Sequence, residues 1–125
     1  MPVKIVGLDW RGGPYTHPMD IVNVPQRPGV YKIHYREPSG EWRIIKVGEA
    51  QNLYEALVGH LSSAETDTRL RARIATGNCA YSYAELPDEG ERKAALRALY
   101  DHFQPELNDP AELPEPQPGL EFNPN

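Results

Sequence analysis

The sequence is poor in cysteine, in positive charge and in long apolar runs, and each shortage excludes a class of protein. With Cys79 as its one cysteine, the chain cannot form an internal disulfide, and no cluster of cysteine and histidine has the spacing of a metal site. No apolar run approaches the roughly 18 residues that a membrane helix needs. The chain also does not begin with a basic segment followed by an apolar core. We therefore expect a cytoplasmic protein that does not enter a membrane.

Positive charge is also in short supply. Thirteen Lys and Arg stand against eighteen Asp and Glu, which gives a net charge of -5. Four of the acids lie after Asn108 with no basic residue among them, so the part of the chain up to Asn108 is nearly neutral. A dedicated nucleic-acid binder usually carries a strong positive field. The composition argues mildly against DNA as the partner, although a local basic patch can still bind it.

At 125 residues the chain is long enough for one modest hydrophobic core. We expect residues 28–108 to form that domain. Residues 1–27 should supply an N-terminal strand within Val3–Trp10, followed by an irregular extension that glycine and proline interrupt. Residues 109–125 form an acidic, proline-rich tail, which should be mostly solvated because it has few residues that could build a core. Its one hydrophobic element, Leu120–Phe122, could dock on a groove.

Three β-prone runs are present in the central domain. Residues Gly29–Tyr35 are β-branched or aromatic at most positions, and Trp42–Val47 follows after the turn residues Pro38-Ser39-Gly40. These two runs should pair as an antiparallel hairpin. Residues Cys79–Leu86 are typical of a third strand, because tyrosines alternate with small residues and a proline ends the run.

Three helices are predicted by capping residues and by apolar residues at helical spacing. The predicted N-caps are Asn52, Asp67 and Asp88. The first helix should end near Ser62, the second at Gly77-Asn78, and the third before Pro105. The apolar stripe of the third helix, which should lie on the sheet, is Leu96, Leu99, Tyr100 and Phe103. The expected fold is α/β, an α+β sandwich in the order β-β-α-α-β-α, with a small three-stranded antiparallel sheet flanked by helices.

The hairpin carries the most informative motif of the chain. Its first strand reads Pro28-Gly29-Val30-Tyr31-Lys32-Ile33, its second strand ends in Lys46-Val47-Gly48, and the pattern Gly-x-Ala-x-Asn-Leu then leads into the first helix. This order resembles the GIY-YIG nuclease domain, and the resemblance covers roughly residues 25–108. The resemblance implies the fold of that family and a place for its active site.

The resemblance also implies a set of site residues. Members of the family hydrolyse a phosphodiester with two strand tyrosines, an arginine on the first helix, a His or Tyr one turn later, a glutamate that holds one divalent ion, and a supporting asparagine. Five positions of this chain match: Tyr31 the first tyrosine, Gly48 the motif glycine, Asn52 the helix entry, His60 the helical His or Tyr, and Asn108 the asparagine.

Four positions depart from the family pattern. Lys46 stands at the second tyrosine, Glu49 where a basic residue is common, Ala56 at the arginine and Leu96 at the metal-binding glutamate. Loss of a guanidinium that stabilises transition-state charge typically removes about 3 kcal/mol. Leu96 offers no oxygen to a hard cation. The resemblance is therefore degenerate, and we expect no metal site and no cofactor.

Three functions remain open at this stage. The first is a non-catalytic GIY-YIG-like domain that binds a protein or nucleic-acid partner. The second is an active endonuclease that depends on Mg²⁺ or Mn²⁺ and uses a relocated site of Tyr31, Lys46 and His60, completed by an arginine from the second helix. The third is a protein interaction module, which could form a homodimer through an exposed strand edge.

Each candidate residue also has a purely structural explanation. Tyr31 can be a packed strand residue, His60 a hydrogen-bonded residue at the edge of the core, and Asn108 part of a turn. The one dense basic run, on the second helix, consists of Arg69, Arg71 and Arg73. These arginines could contact nucleic-acid phosphates or form a solvated helix face.

Overall fold

The structure, a computed structural model, describes residues 4–5 and 8–125. Its strands are β1 (Lys4–Ile5), β2 (Arg11–Pro14), β3 (Gly29–Arg36), β4 (Trp42–Ala50), β5 (Cys79–Glu85) and β6 (Glu121–Phe122), and its helices are α1 (Leu53–Leu61), α2 (Thr68–Ala75) and α3 (Glu89–Phe103). The main sheet is antiparallel and has the strand order β2-β5-β3-β4. The predicted class, a mixed α/β fold with an antiparallel sheet and three helices, is confirmed.

The sheet has four strands, whereas the sequence predicted three. The fourth is β2, which lies at the edge and pairs with β5 in a region expected to be irregular. Its sequence, Arg-Gly-Gly-Pro, has low β-propensity and no alternation of polar and apolar residues. A Cβ atom at Gly12 would lie 2.0 Å from the carbonyl oxygen of Tyr81. Glycine therefore permits a close approach of two backbones that no hydrophobic pattern reveals.

The predicted helix starts are confirmed by their caps. The cap side chains accept hydrogen bonds from backbone N–H groups as follows: Asn52 from Glu55, Asp67 from Arg69 and Leu70, and Asp88 from Glu91. Each cap satisfies donors that have no partner within the first turn of a helix. In the described part of the chain, every helix is too short or too polar to cross a membrane.

The sheet separates two hydrophobic clusters. The front cluster packs against α1 and α2, and its members include Tyr15, Tyr31, Leu53, Leu57 and Leu70. The back cluster packs against α3, and its buried members include Val30, Val47, Ala84, Ala95 and Leu99. All four residues of the predicted α3 stripe belong to or pack on the back cluster. Helix α3 therefore lies on the sheet as its spacing predicted.

The tail was expected to be mostly solvated, but its hydrophobic element packs against the domain. Strand β6 pairs in parallel with β1, and Leu120 and Phe122 are partly buried against the back cluster. They pack there because the cluster extends past α3 to Leu8 and Trp10, and this apolar surface needs cover. Of the strand expected within Val3–Trp10, residues 3, 6 and 7 lie outside the described part of the chain.

A buried lysine contributes to the attachment of the tail. Lys32 is only 5% exposed. Its ammonium group donates a hydrogen bond to the carbonyl of Pro124. The same group lies 3.9 Å from the ring centroid of Trp10 and 5.1 Å from that of Phe103. Two aromatic faces and one carbonyl thus solvate the cation in place of water.

The burial of Lys32 predicts a pH dependence of stability. Burial lowers the pKa of Lys32 from 10.5 to about 8, so above pH 8 the unfolded chain binds more protons than the folded one. The free energy of unfolding should therefore rise by about 1 kcal/mol between about pH 7 and pH 9. Burial also raises the pKa of Cys79 from 9.0 to about 11, so the unfolded thiol ionises first and opposes part of the gain near pH 9 and above.

Urea denaturation at the two pH values tests this expectation, with Lys32→Met as the control. The variant keeps the aromatic contacts but has no proton to lose, so the rise should be absent. His34 is neutral throughout the window because burial lowers its pKa to about 4. An equal rise in the parent chain and the variant would contradict the assignment to Lys32.

Candidate active-site cleft

Tyr31 lies in β3, a central strand, and is almost fully covered. The residue is 6% exposed and stands opposite Gly48 of β4. A Cβ atom at Gly48 would lie 2.2 Å from Cζ of Tyr31, so the absence of a side chain at Gly48 makes room for the tyrosine ring. The phenolic oxygen lies 2.9 Å from Nε2 of His60 on α1. The structure thus brings Tyr31, Gly48 and His60 together.

A carboxylate that the sequence did not predict completes this contact. Glu65, in the loop between α1 and α2, places Oε1 2.6 Å from Nδ1 of His60, and its Oε2 accepts a hydrogen bond from the backbone N–H of Asp67. The carboxylate accepts a hydrogen bond from Nδ1–H, which leaves Nε2 unprotonated to accept a hydrogen bond from the hydroxyl of Tyr31. Tyr31, His60 and Glu65 therefore form one hydrogen-bonded chain, here called the Tyr-His-Glu chain.

Burial controls the protonation of the Tyr-His-Glu chain. Burial, with smaller effects from the Glu65 and Glu49 charges, raises the pKa of Tyr31. Burial lowers the pKa of His60, and Glu65 opposes that shift only in part. Burial would raise the pKa of Glu65, but its hydrogen bonds from His60 and Asp67 lower it overall. At neutral pH the Tyr-His-Glu chain therefore consists of a neutral Tyr31 phenol, a neutral His60 imidazole and a Glu65 carboxylate.

Lys46 lies beside the Tyr-His-Glu chain and brings a positive charge close to it. It is opposite Ile33, two cross-strand pairs along the ladder from the Tyr31–Gly48 pair, and it is half-buried. Its charge lowers the pKa of His60. Among the residues that the structure describes, no carboxylate forms a salt bridge with Lys46.

Glu49 and Asn108 fix the end of β4 that carries Gly48. Glu49 accepts a hydrogen bond from Nε of Arg92 on α3 at 3.0 Å, and Arg92 also donates to the carbonyls of Leu86 and Pro87. The Asn108 amide pairs with both backbone groups of Val47, at 2.8 Å each. Asn52 acts as the cap of α1. Sequence reasoning did not identify Arg92, although an arginine within the apolar face of α3 is a usable signal of a buried ion pair.

The basic run of α2 does not converge on Tyr31. Arg69 lies 3.5 Å from a carboxylate oxygen of Asp67, and Arg73 lies 2.6 Å from one of Glu106. Arg71 lines a cleft of about 230 Å³ between α1 and α2, which also touches His60. The run therefore divides into two arginines that pair with acids and one that borders the site.

The two positions at which the GIY-YIG pattern has a charged arginine and a charged glutamate hold apolar residues in apolar surroundings. Ala56 packs on the front cluster, and Leu96 packs on the back cluster. Within residues 4–5 and 8–125, no three Asp, Glu, His or Cys residues are grouped so that they could hold a metal ion. What the cleft can do chemically is limited to proton transfer along the Tyr-His-Glu chain and charge stabilisation by Lys46.

Comparison with known proteins gives a fold and no sequence family. No protein-family model and no curated protein matches the chain. Among solved structures, the GIY-YIG N-terminal endonuclease domain of UvrC from Thermotoga maritima, bound to magnesium as its catalytic divalent cation, matches with a TM-score of 0.54 and 22% identity over 73% of this chain and 93% of that one. A point mutant of the same domain matches with a TM-score of 0.56 and 21% identity, over 73% of this chain and 92% of that one. The chain therefore has a GIY-YIG-like fold.

Proposed function

We propose that the chain is a non-catalytic GIY-YIG-like domain that acts by binding a partner. The observation that carries this proposal is the packing of Ala56 and Leu96 into hydrophobic clusters. Both positions match charged residues of the nuclease site. Phosphodiester hydrolysis needs positive charge on the transition state and, in the metal-dependent enzymes, oxygen ligands for a cation.

Three further arginines do not replace the missing charge, because each is committed to an acid. Arg92 is buried and committed to Glu49, Arg73 pairs with Glu106, and Arg97 pairs with Asp101 on the same helix at 3.1 Å. Moving any of these three side chains toward Tyr31 would break an existing ion pair. This commitment supports a binding role rather than a relocated cation.

The residues present also do not fit the divalent cation that the related endonuclease domain binds. Leu96 provides a hydrocarbon where an oxygen ligand is required. The two nearby carboxylates, Glu49 and Glu65, already accept hydrogen bonds from Arg92 and His60. No step of the proposed function therefore uses a metal.

One observation favours a second candidate, phosphodiester hydrolysis at a relocated site. The Tyr-His-Glu chain is a complete proton relay, and Lys46 stands next to it. A lysine offers a point charge to phosphate without the bidentate geometry of arginine, and Tyr31 is covered by its neighbours. We therefore rank this function below binding.

A nicking assay separates the two candidates. Supercoiled plasmid and branched DNA are incubated with the full chain in Mg²⁺ and in Mn²⁺, and we expect no cleavage above the buffer background. Cleavage that Tyr31→Phe abolishes and that Tyr54→Phe retains would establish the nuclease and refute our proposal. Tyr54 is a suitable control because it is a partly buried tyrosine of α1 outside the Tyr-His-Glu chain.

A further inference from the structure

The turn end of the β3–β4 hairpin carries an exposed tryptophan beside an exposed arginine. Arg36 and Trp42 are direct cross-strand partners, so their side chains lie on the same face of the sheet. Trp42 is 55% exposed. Both residues line a groove of about 370 Å³, which continues to Pro14, Ala80 and the turn at Gly77 and Asn78. We call this surface the Trp42 groove.

The polar groups of the Trp42 groove are not committed to the rest of the chain. The backbone N–H of Arg36 donates to the carbonyl of Asn78 at 2.9 Å, which fixes the end of the strand. Over the described residues, neither the guanidinium of Arg36 nor the side-chain amide of Asn78 has a hydrogen bond or ion pair. Neighbouring Arg43, in contrast, is held by Glu37 and Glu106 at 3.1 and 2.9 Å.

These features together define the chemistry of a ligand. An exposed indole offers a face for stacking a planar ring, and a free guanidinium binds phosphate through two parallel hydrogen bonds. A free amide can bind a base edge or a sugar. A planar ring joined to an anion is what one nucleotide provides, and a volume of about 370 Å³ falls in the range of small-ligand sites.

We propose that the Trp42 groove binds single-stranded nucleic acid, with a base stacked on Trp42 and its phosphate on Arg36. Duplex DNA is not the expected ligand because its base faces are already stacked. Glu37 and Glu41 line a second depression that Trp42 also borders, and their negative charge should keep the phosphate in the groove that Arg36 lines. This inference deepens the proposed binding function and uses none of the residues of the Tyr-His-Glu chain.

The charge of the molecule sets the expected strength of binding. The net charge of -5 gives no long-range attraction, so we expect weak binding that includes a single phosphate contact. For a single strand, one contact corresponds to a slope of about -0.7 in the logarithm of affinity against the logarithm of salt concentration. A dedicated nucleic-acid surface would give a much steeper slope.

Titration of a fluorescein-labelled oligothymidylate of about ten nucleotides tests the proposal, with anisotropy and tryptophan fluorescence as readouts. Binding should quench the exposed Trp42. Trp42→Ala should weaken binding by about tenfold, and Trp42→Phe should restore part of the loss, because stacking contributes most of the affinity. Arg36→Met should remove most of the salt dependence.

Two further variants make the result decisive. Lys93→Met removes an exposed positive charge of α3, far from the groove in sequence and paired with Glu89, and it should bind like the parent chain. Loss of binding in Arg71→Met but not in Arg36→Met would move the site to α2 and overturn the proposal. Unchanged binding by Trp42→Ala, no binding of the oligonucleotide at all, or tighter binding of an acidic tyrosine-containing peptide would overturn it as well.

The nicking assay decides the proposed function separately, since cleavage leaves the role of Trp42 unaffected.

Discussion

Replacing Glu49 by alanine is expected to lower the free energy of unfolding by about 3 kcal/mol. The side chain of Arg92 is 4% exposed and that of Glu49 is 24% exposed, so the variant leaves a guanidinium in an apolar surrounding with only the carbonyls of Leu86 and Pro87 as partners. The cost comes mainly from that uncompensated charge rather than from the net strength of the pair. Urea or guanidinium denaturation of the purified chain measures it.

The exposed pair of Arg97 and Asp101 provides a matched control. It spans one turn of α3 and its side chains are 29% and 49% exposed, so Asp101→Ala should cost less than about 0.5 kcal/mol. The double variant Glu49→Ala/Arg92→Met should be about 2 kcal/mol more stable than the sum of the two single losses indicates, because Met buries no charge. If Glu49→Ala lowered the free energy of unfolding by less than Asp101→Ala does, water would have to reach Arg92, and the prediction would be wrong.

The elements that could be predicted from the sequence are those with a strong local signal. The β3–β4 hairpin has a glycine-containing turn between two β-prone runs, and the helix starts have capping residues whose side chains make the expected hydrogen bonds. The α3 stripe follows helical spacing and lies on the back cluster. Periodicity and caps depend on near neighbours in sequence, so these signals survive without any knowledge of tertiary contacts.

The elements that escaped prediction depend on distant partners. Strand β2 is defined by the close approach of Gly12 to β5, and a pair of glycines in a loop gives the same pattern. The tail docks because Leu120 and Phe122 meet apolar surface near Trp10, more than 100 positions away in the chain. Composition alone favoured solvent for a segment so rich in proline and acid.

The candidate site shows the same division. The resemblance placed Tyr31, Gly48 and His60 by motif, and these three residues meet in the structure. Glu65 lies in a loop, where no periodic pattern distinguishes a buried carboxylate from a solvated one. The partner of Glu49 is on α3, 43 positions later, so Arg92 compensates the negative charge that stands where the family commonly has a basic residue. Motif matching predicts positions, whereas charge balance depends on the folded chain.

The second large effect is expected at Gly48, where alanine should destabilise the chain by about 2 kcal/mol through overpacking. The new Cβ atom would lie 2.2 Å from Cζ and 2.3 Å from the hydroxyl oxygen of Tyr31. The tyrosine ring is confined by the front cluster, so it cannot rotate away without breaking its 2.9 Å contact with His60. The variant should therefore change two observables together: the midpoint of urea denaturation, and the NMR titration of the His60 imidazole.

Gly59→Ala is the matched control, because the same methyl group is added to a glycine that has no atom within 4 Å of the new Cβ. Gly59 lies inside α1, one residue before His60, and alanine is the better helix former by up to about 1 kcal/mol. The control should thus stabilise the chain and leave the titration of His60 unchanged. Equal stability of the two variants would mean that Tyr31 is free to move at no cost, and the Tyr-His-Glu chain would then have no packing that fixes it.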